Sequence, residues 1–188
     1  MITKKSARAI SVAILLMLFF GSAALGEQEN DYFNRGYERH LQGDLRTAVK
    51  EYSRAIDNNP RFAMAYQMRG AAWQGMKQFD KAIRDYSMVI LFGESHFQAV
   101  GYYNRGIVKN MSGDFIGAIP DFTQAVTLDR KMAAAFFHRG IAKNRTGDSF
   151  GRIQDFREAA RLGYIKAEEW LNTYYPSWKE HATGAPVQ

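Results

Sequence analysis

The sequence repeats itself with a period of 34 to 36 residues, and this regularity limits the fold more than any other feature. The dipeptide Arg-Gly recurs at Arg35-Gly36, Arg69-Gly70, Arg105-Gly106 and Arg139-Gly140. Successive copies lie 34, 36 and 34 residues apart. A fixed spacing in this range is typical of proteins that stack one small structural unit several times.

Each unit has the pattern of two helices joined by a tight turn. Aromatic residues lie four places before and sixteen places after each glycine: Tyr32 and Tyr52, Tyr66 and Tyr86, Tyr102 and Phe122, Phe136 and Phe156. Apolar spacings of three, four and seven flank the dipeptides Gly43-Asp44, Gly113-Asp114 and Gly147-Asp148. The glycine suits the end of one helix, and the aspartate suits the N-cap of the next. One such hairpin leaves an apolar face uncovered, so it needs a stacked neighbour.

These residues, in a common register, resemble the tetratricopeptide repeat. The resemblance implies an all-α fold, a right-handed α-solenoid of four helix-turn-helix repeats. We place the repeats at 29–62, 63–96, 99–132 and 133–166. The chain departs from the repeat pattern at the Phe97-Gln98 insertion, at Lys77-Gln78 in place of Gly-Asp, at Arg152 in place of a small residue, and at Pro120 inside a helix. The proline removes a backbone hydrogen bond and should bend that helix.

The residues after the fourth repeat predict a cap. Residues 167–175 read as a helix whose apolar side, with Trp170, Leu171 and Tyr174, covers the last hairpin. An alternative is that Trp170, Tyr174, Tyr175 and Trp178 form a dimer patch. Residues 176–188 are predicted to be a flexible tail, and the sequence does not predict the oligomeric state.

The first 26 residues have the composition of a secretory signal. Basic residues precede an apolar run from Ala9 to Phe20, and small residues follow at Ala24 and Gly26. This order predicts a cleaved signal peptide over 1–26 and a periplasmic or secreted product of bacterial type. The alternative is an uncleaved membrane anchor from Ala9 to Leu25.

Composition excludes several classes of function. The chain has 25 basic and 19 acidic residues, a net charge of +6. Without Lys4, Lys5 and Arg8 the balance is 22 to 19, or +3, which does not favour nucleic acid. The chain has no cysteine, so disulfides, thiol catalysis and thiolate metal sites are excluded. We expect no membrane contact once the signal is removed.

The repeated arginines are predicted to form structural ion pairs. An acidic residue follows each arginine by sixteen places: Arg35 and Glu51, Arg69 and Asp85, Arg105 and Asp121, Arg139 and Asp155. The two members lie on the two helices of one hairpin, and a guanidinium can meet a carboxylate at two points. The alternative is that the arginines form a row that binds ligand.

The first helices carry the candidate binding surface. One stripe consists of Phe33, Tyr37 and His40, Gln67, Ala71 and Gln74, Tyr103, Ile107 and Asn110, and Phe137, Ile141 and Asn144. Asn34, Met68, Asn104 and His138 lie beside this stripe. The resemblance implies that this face lines a concave groove for a partner peptide or helix. The alternative is that the rings pack against the next hairpin, because periodic apolar positions also describe a core. The stripe lacks the lysine, asparagine and arginine set with which some members of the family hold a chaperone's terminal carboxylate.

No catalytic motif is present, and we expect no enzyme activity, metal or cofactor. The histidines His40, His96, His138 and His181 fall in separate segments. The sequence therefore predicts a protein-binding scaffold or adaptor of the bacterial envelope, with a protein or peptide ligand. Two alternatives stay open: a structural subunit that acts through its convex face or cap, and an accessory subunit that presents substrate to a separate enzyme.

Overall fold

The computed structural model describes residues 30–183, and all regular structure in that range is helical. The helices are α1 (30–41), α2 (Leu45–Asn58), α3 (Ala63–Gly75), α4 (Phe79–Phe92), α5 (Ser95–Ser112), α6 (Phe115–Leu128), α7 (Ala133–Arg145), α8 (Ser149–Arg161) and α9 (Ile165–Tyr174), followed by a 3-10 helix over Pro176–Thr183. The prediction of an all-α repeat solenoid is confirmed. The predicted signal peptide over 1–26 lies outside the described residues.

The helices form a stack of hairpins. Helices α4, α6 and α8 pack against the first helix of their own hairpin, and α2, α4 and α6 pack against the first helix of the next repeat. Helix α8 packs against α9. The first helices also approach one another directly, α3 with α5 and α5 with α7. Because the first helices lie closest together, the stack curves toward them. The side of α1, α3, α5 and α7 that faces away from the second helices is therefore concave. We call this surface the groove face.

The repeated glycines are explained by the second aromatic residue of each repeat. A Cβ atom on Gly36 would lie 2.7 Å from the ring of Tyr52, and one on Gly106 would lie 2.8 Å from the ring of Phe122. The same ring-on-glycine contact occurs between Gly70 and Tyr86 and between Gly140 and Phe156. The rings of Tyr52, Tyr86 and Phe122 are almost fully buried. The two helices of a hairpin therefore cross closely because a flat ring lies directly on a backbone without a side chain.

The turns within the hairpins follow the Gly-Asp pattern. Gly43, Gly113 and Gly147 have φ angles of 78°, 88° and 91°. The next residue in each case is the N-cap: Asp44, Asp114 and Asp148 accept hydrogen bonds from the backbone N–H three residues later. Helix α6 continues from Phe115 to Leu128 past Pro120 without interruption.

The second turn adopts the same conformation with unfavourable residues. Lys77 has a φ of 58°, and its backbone N–H donates to the Gln74 carbonyl as Gly43 does to that of His40. Gln78 is the N-cap of α4, and its side chain makes no capping bond. A residue with a Cβ atom is disfavoured in this left-handed region.

Replacing both residues of this turn, Lys77→Gly with Gln78→Asp, should raise the free energy of unfolding by about 1–2 kcal/mol. The glycine removes the backbone strain, and the aspartate supplies the missing cap. Urea denaturation followed by circular dichroism measures the change. Lys77→Ala is the matched control, because it keeps a Cβ atom and should change stability by only a few tenths of a kcal/mol. A double variant no more stable than the wild type would contradict this explanation.

The C-terminal end differs from the sequence prediction. The capping helix begins at Ile165 and is followed by the 3-10 helix, where a flexible tail was predicted. Trp178 is 6% exposed, and its indole N–H donates to the Asn172 side chain at 2.9 Å. Burial of a large ring with a partner for its polar atom orders this segment. Trp178 is therefore part of the cap's core and is not available for a dimer patch.

Candidate functional site

Three of the four predicted arginine–acid pairs are short and buried. Arg69 donates to Asp85 from Nε and Nη2, both at 2.8 Å. Arg105 and Asp121 meet in the same two-point geometry at 3.0 and 2.6 Å. Arg139 and Asp155 do so at 2.9 and 2.6 Å. Asp121 and Asp155 each receive a second cation as well, the Nζ of Lys109 at 2.8 Å and of Lys143 at 2.9 Å.

The same arginines also join neighbouring repeats, which the sequence analysis missed. The third guanidinium nitrogen, Nη1, donates to a hydroxyl on the second helix of the preceding repeat. These bonds run from Arg69 to Ser53 (2.9 Å), from Arg105 to Ser87 (2.9 Å) and from Arg139 to Thr123 (3.3 Å). With all three guanidinium nitrogens engaged by the protein itself, these arginines are structural and leave little capacity for a ligand.

The first pair is looser. Arg35 Nε lies 3.6 Å from Glu51, and the arginine side chain is 47% exposed. Arg35 also pairs with Asp31 at 3.0 Å, and Glu51 pairs with Arg54 at 2.7 Å. The longer glutamate and the absence of a described preceding repeat explain the weaker geometry.

Most aromatic residues of the predicted groove stripe lie between helices. Phe33 contacts the rings of Tyr52 and Phe62, with centroids 5.7 and 5.2 Å away. Tyr103 contacts Phe122 and His138 at 6.1 and 6.0 Å, and Phe137 contacts Phe156 and Tyr164, both at 4.8 Å. Ile107 and Ile141 pack in the same clusters. Tyr37, by contrast, is 45% exposed. The stripe therefore serves repeat packing first and offers only part of its area to a ligand.

Some predicted polar residues connect the first helices to one another. The Gln74 amide contacts Met111 Sδ at 3.5 Å and accepts from the Tyr86 hydroxyl at 3.0 Å. The Asn110 amide donates to the His138 carbonyl at 3.4 Å. The amides of Gln74 and Asn110, which the sequence pattern assigns to peptide binding, are therefore engaged within the protein.

Two histidines on the groove face have surroundings that favour the neutral form. Burial lowers the pKa of His40, and burial followed by the charge of Lys166 lowers the pKa of His138. Neutral imidazoles do not repel cations and can accept one hydrogen bond each. Among the described side chains, those of residues 30–179, no cluster of three metal-ligating groups is found.

A groove remains open between α3 and α5, with a volume of about 450 Å³. Its lining combines apolar residues with amides: Gln67, Met68, Ala71, Gln74, Gly75, Lys77, Tyr86, Asn104 and Met111. The side chains of Gln67 and Asn104 make no hydrogen bond within the described part of the chain. Met111 and Lys77 do not belong to the stripe that the sequence pattern identifies: Met111 lies in the last turn of α5, and Lys77 lies in the turn after α3. We call this space the central groove.

A cation lies near the C-terminal end of the groove face. The Arg152 guanidinium stacks on Trp170 at 4.6 Å and donates to Asn144 at 2.6 Å. No carboxylate in residues 30–179 forms an ion pair with it. In the sequence pattern, Arg152 stands out only as a departure from the repeat. Trp170 also contacts Phe156 at 5.0 Å and Tyr174 at 5.3 Å, and Tyr174 is 68% exposed.

The described helices are all too short or too polar to cross a lipid bilayer.

Known proteins share this repeat over part of the chain. No protein-family model matches the chain. The TPR repeat-containing thioredoxin TDX of Arabidopsis thaliana is 29% identical over 96 residues, which are 51% of this chain and 25% of that protein. The chain spans between 19% and 27% of the length of its most similar curated relatives.

Solved structures resemble the whole stack. The MamA protein aligns with a TM-score of 0.71 at 19% identity, covering 85% of this chain and 88% of MamA. The first TPR of Spaghetti (RPAP3), solved with the HSP90 peptide SRMEEVD, aligns with a TM-score of 0.60 at 17% identity, covering 64% of this chain and 97% of that one. At these identities the likeness is one of fold.

Proposed function

Because this chain is a tetratricopeptide repeat protein, we propose that it binds an extended segment of a partner protein in the central groove. The observation that carries the proposal is the lining of that groove: methionine side chains beside the amides of Gln67 and Asn104, which make no hydrogen bond with another described residue. Methionine adapts its shape to apolar side chains. Amides can pair with the alternating N–H and C=O groups of a peptide backbone.

The groove favours a different peptide from that of the HSP90-bound neighbour. Lys77 is the charged residue of its lining, and the family's lysine, asparagine and arginine set is missing from the stripe. We therefore expect an internal, mainly apolar segment rather than a terminal carboxylate. Arg152, near the end of the groove face, supplies a cation for one acidic side chain of the same segment.

Peptide selection tests the central groove. A phage-displayed peptide library panned on the purified chain should yield binders whose affinity falls at least tenfold for Gln67→Leu/Asn104→Leu, because about 1 kcal/mol is lost for each missing hydrogen bond. Leucine keeps the volume, so the fold is retained. Tyr103→Ala is unsuitable, because its ring packs on Phe122.

The matched control makes the same chemical change on the second helices. Gln124 and Gln154 are exposed, and Gln124→Leu/Gln154→Leu should leave peptide affinity unchanged. Equal binding to all three proteins would place the site on the convex face or the cap. A library that yields no binder would favour a structural subunit.

We further propose that the protein acts outside the cytoplasm as a scaffold or adaptor. Support comes from residues 1–26, whose basic start, apolar run and small residues have the order of a secretory signal. Expressed in a bacterial host with this segment intact, the protein should be recovered from the periplasm or medium with its N-terminus near Glu27. Intact mass and N-terminal sequencing measure this. A full-length product in the membrane fraction would instead support the anchor from Ala9 to Leu25.

A further inference from the structure

A second recess, of about 620 Å³, lies between the first two repeats, lined by residues of α2, of the C-terminal end of α3 and of the start of α4. The residues that matter are Arg46, Val49, Lys50, Trp73, Met76 and Lys81. The central groove shares none of them. We call this space the tryptophan recess.

The tryptophan recess exists because the repeats differ at one position. In the third and fourth repeats the position equivalent to Trp73 holds Lys109 and Lys143, which reach the buried aspartates of their hairpins. In the second repeat a half-buried indole takes that place, next to Val49 and Met76. The ammonium group of Lys81 lies 4.3 Å from the centre of the Trp73 ring. The recess thus has an aromatic and aliphatic floor.

The rim of the tryptophan recess is positively charged. Arg46, Lys50 and Lys81 are exposed, and none of them forms an ion pair with a carboxylate of residues 30–179, whose side chains the structure describes. Two carboxylates lie close to this rim in the sequence. Asp44 is the N-cap of α2 and accepts a hydrogen bond from the Thr47 N–H, and its charge also interacts with that of Lys50. Asp80 lines a neighbouring depression with Lys81, Arg84 and Ser112, and it forms no ion pair with Lys81. Three cations therefore surround one apolar floor.

We propose that the tryptophan recess binds a short acidic segment of a partner protein in which a bulky apolar residue is flanked by carboxylates. The apolar side chain contacts Trp73 and Met76, where aromatic pairing adds to area burial. The flanking carboxylates form charge-assisted hydrogen bonds with Arg46, Lys50 and Lys81. The site is independent of the central groove, so one protein can hold two segments at once.

Nuclear magnetic resonance with a defined probe tests this site. The probe is the capped peptide acetyl-Glu-Asp-Phe-Asp-Glu-amide, and its counterpart has glutamine and asparagine in place of the acids. The ¹⁵N-labelled chain contributes indole N–H signals from Trp73, Trp170 and Trp178, and Trp73→Phe identifies the first. The acidic peptide should shift the Trp73 signal and bind at least tenfold more tightly than its amide counterpart. Raising salt from ~20 to ~300 mM should weaken binding, because exposed charges are screened.

Two pairs of variants distinguish binding at the tryptophan recess from nonspecific attraction to the positive charge of the protein. Lys50→Gln/Lys81→Gln should weaken the acidic peptide at least tenfold. Arg130→Gln/Lys131→Gln removes the same charge from an exposed loop and should leave binding unchanged. Equal weakening by both pairs, an unmoved Trp73 signal, or shifts confined to Trp170 and Trp178 would each overturn the proposal. Gln67→Leu/Asn104→Leu should not affect this peptide, so failure of the tryptophan recess and failure of the central groove are distinguishable.

Discussion

Replacing Asp121 with asparagine should lower the free energy of unfolding by about 3–5 kcal/mol, because it removes one partner of a buried charge network. The Asp121 side chain is 4% exposed and lies between Arg105 and Lys109. Asparagine keeps the shape but carries no charge, and its amide N–H₂ group would face a cation. Two half-buried cations would then lack their counter-charge.

Urea denaturation of Asp121→Asn at pH 7 measures this loss. Asp31→Asn is the matched control, because Asp31 makes an ion pair of similar length with Arg35 but is 63% exposed. Exposed pairs contribute about 0–1 kcal/mol, so the control should unfold near the wild-type midpoint. Similar losses from both variants would show that burial does not set the strength of these pairs.

Replacing Phe122 with alanine should cost about 3–5 kcal/mol, the usual range for deletion of a buried ring. Phe122 is fully buried, with Ala118 and Ala142 in the same cluster and Tyr103 and Ile107 packed against it. Its removal leaves a cavity between the third and fourth repeats. Because each repeat depends on its neighbours, the fourth repeat and the cap should lose protection from hydrogen exchange first.

The glycine beneath this ring provides an internal check. Gly106→Ala alone should destabilise the protein, since the new Cβ atom would lie 2.8 Å from Phe122. In the Phe122→Ala background the same change should be neutral or favourable, because space is now available and alanine favours helix. Additive losses would contradict the contact. Ile116→Ala, on the same helix and 78% exposed, should change stability by less than about 0.5 kcal/mol.

The sequence predicts the hairpins and their ion pairs well because both depend on fixed spacings within one repeat. A residue such as Arg105 and its acid sixteen places later always face each other when the two helices pack antiparallel. The contact between Ser87 and Arg105 could not be predicted in this way, because it joins two different repeats. The distance between residues on neighbouring repeats depends on how the hairpins stack, and the repeat period alone does not specify that geometry.

The candidate site was less predictable for a physical reason. A residue such as Tyr103 has one periodic position, and that position serves both the contact between repeats and the edge of the groove. Only the packing shows that its ring lies on Phe122. The repeat pattern does not predict the tryptophan recess, because the recess arises where one repeat differs from the others. Trp73 occupies the position that Lys109 and Lys143 hold in the third and fourth repeats. Binding surfaces in a repeat protein depend on such differences between copies.

The arginine bridges give the stack a direction. Arg69, Arg105 and Arg139 each fasten their own repeat to the one before it in the chain. A chain that emerges from the ribosome with its N-terminus first therefore presents each serine or threonine acceptor before the arginine that needs it has been made. Each of these hairpins therefore carries the donor for an acceptor that the chain has already supplied on the hairpin before it.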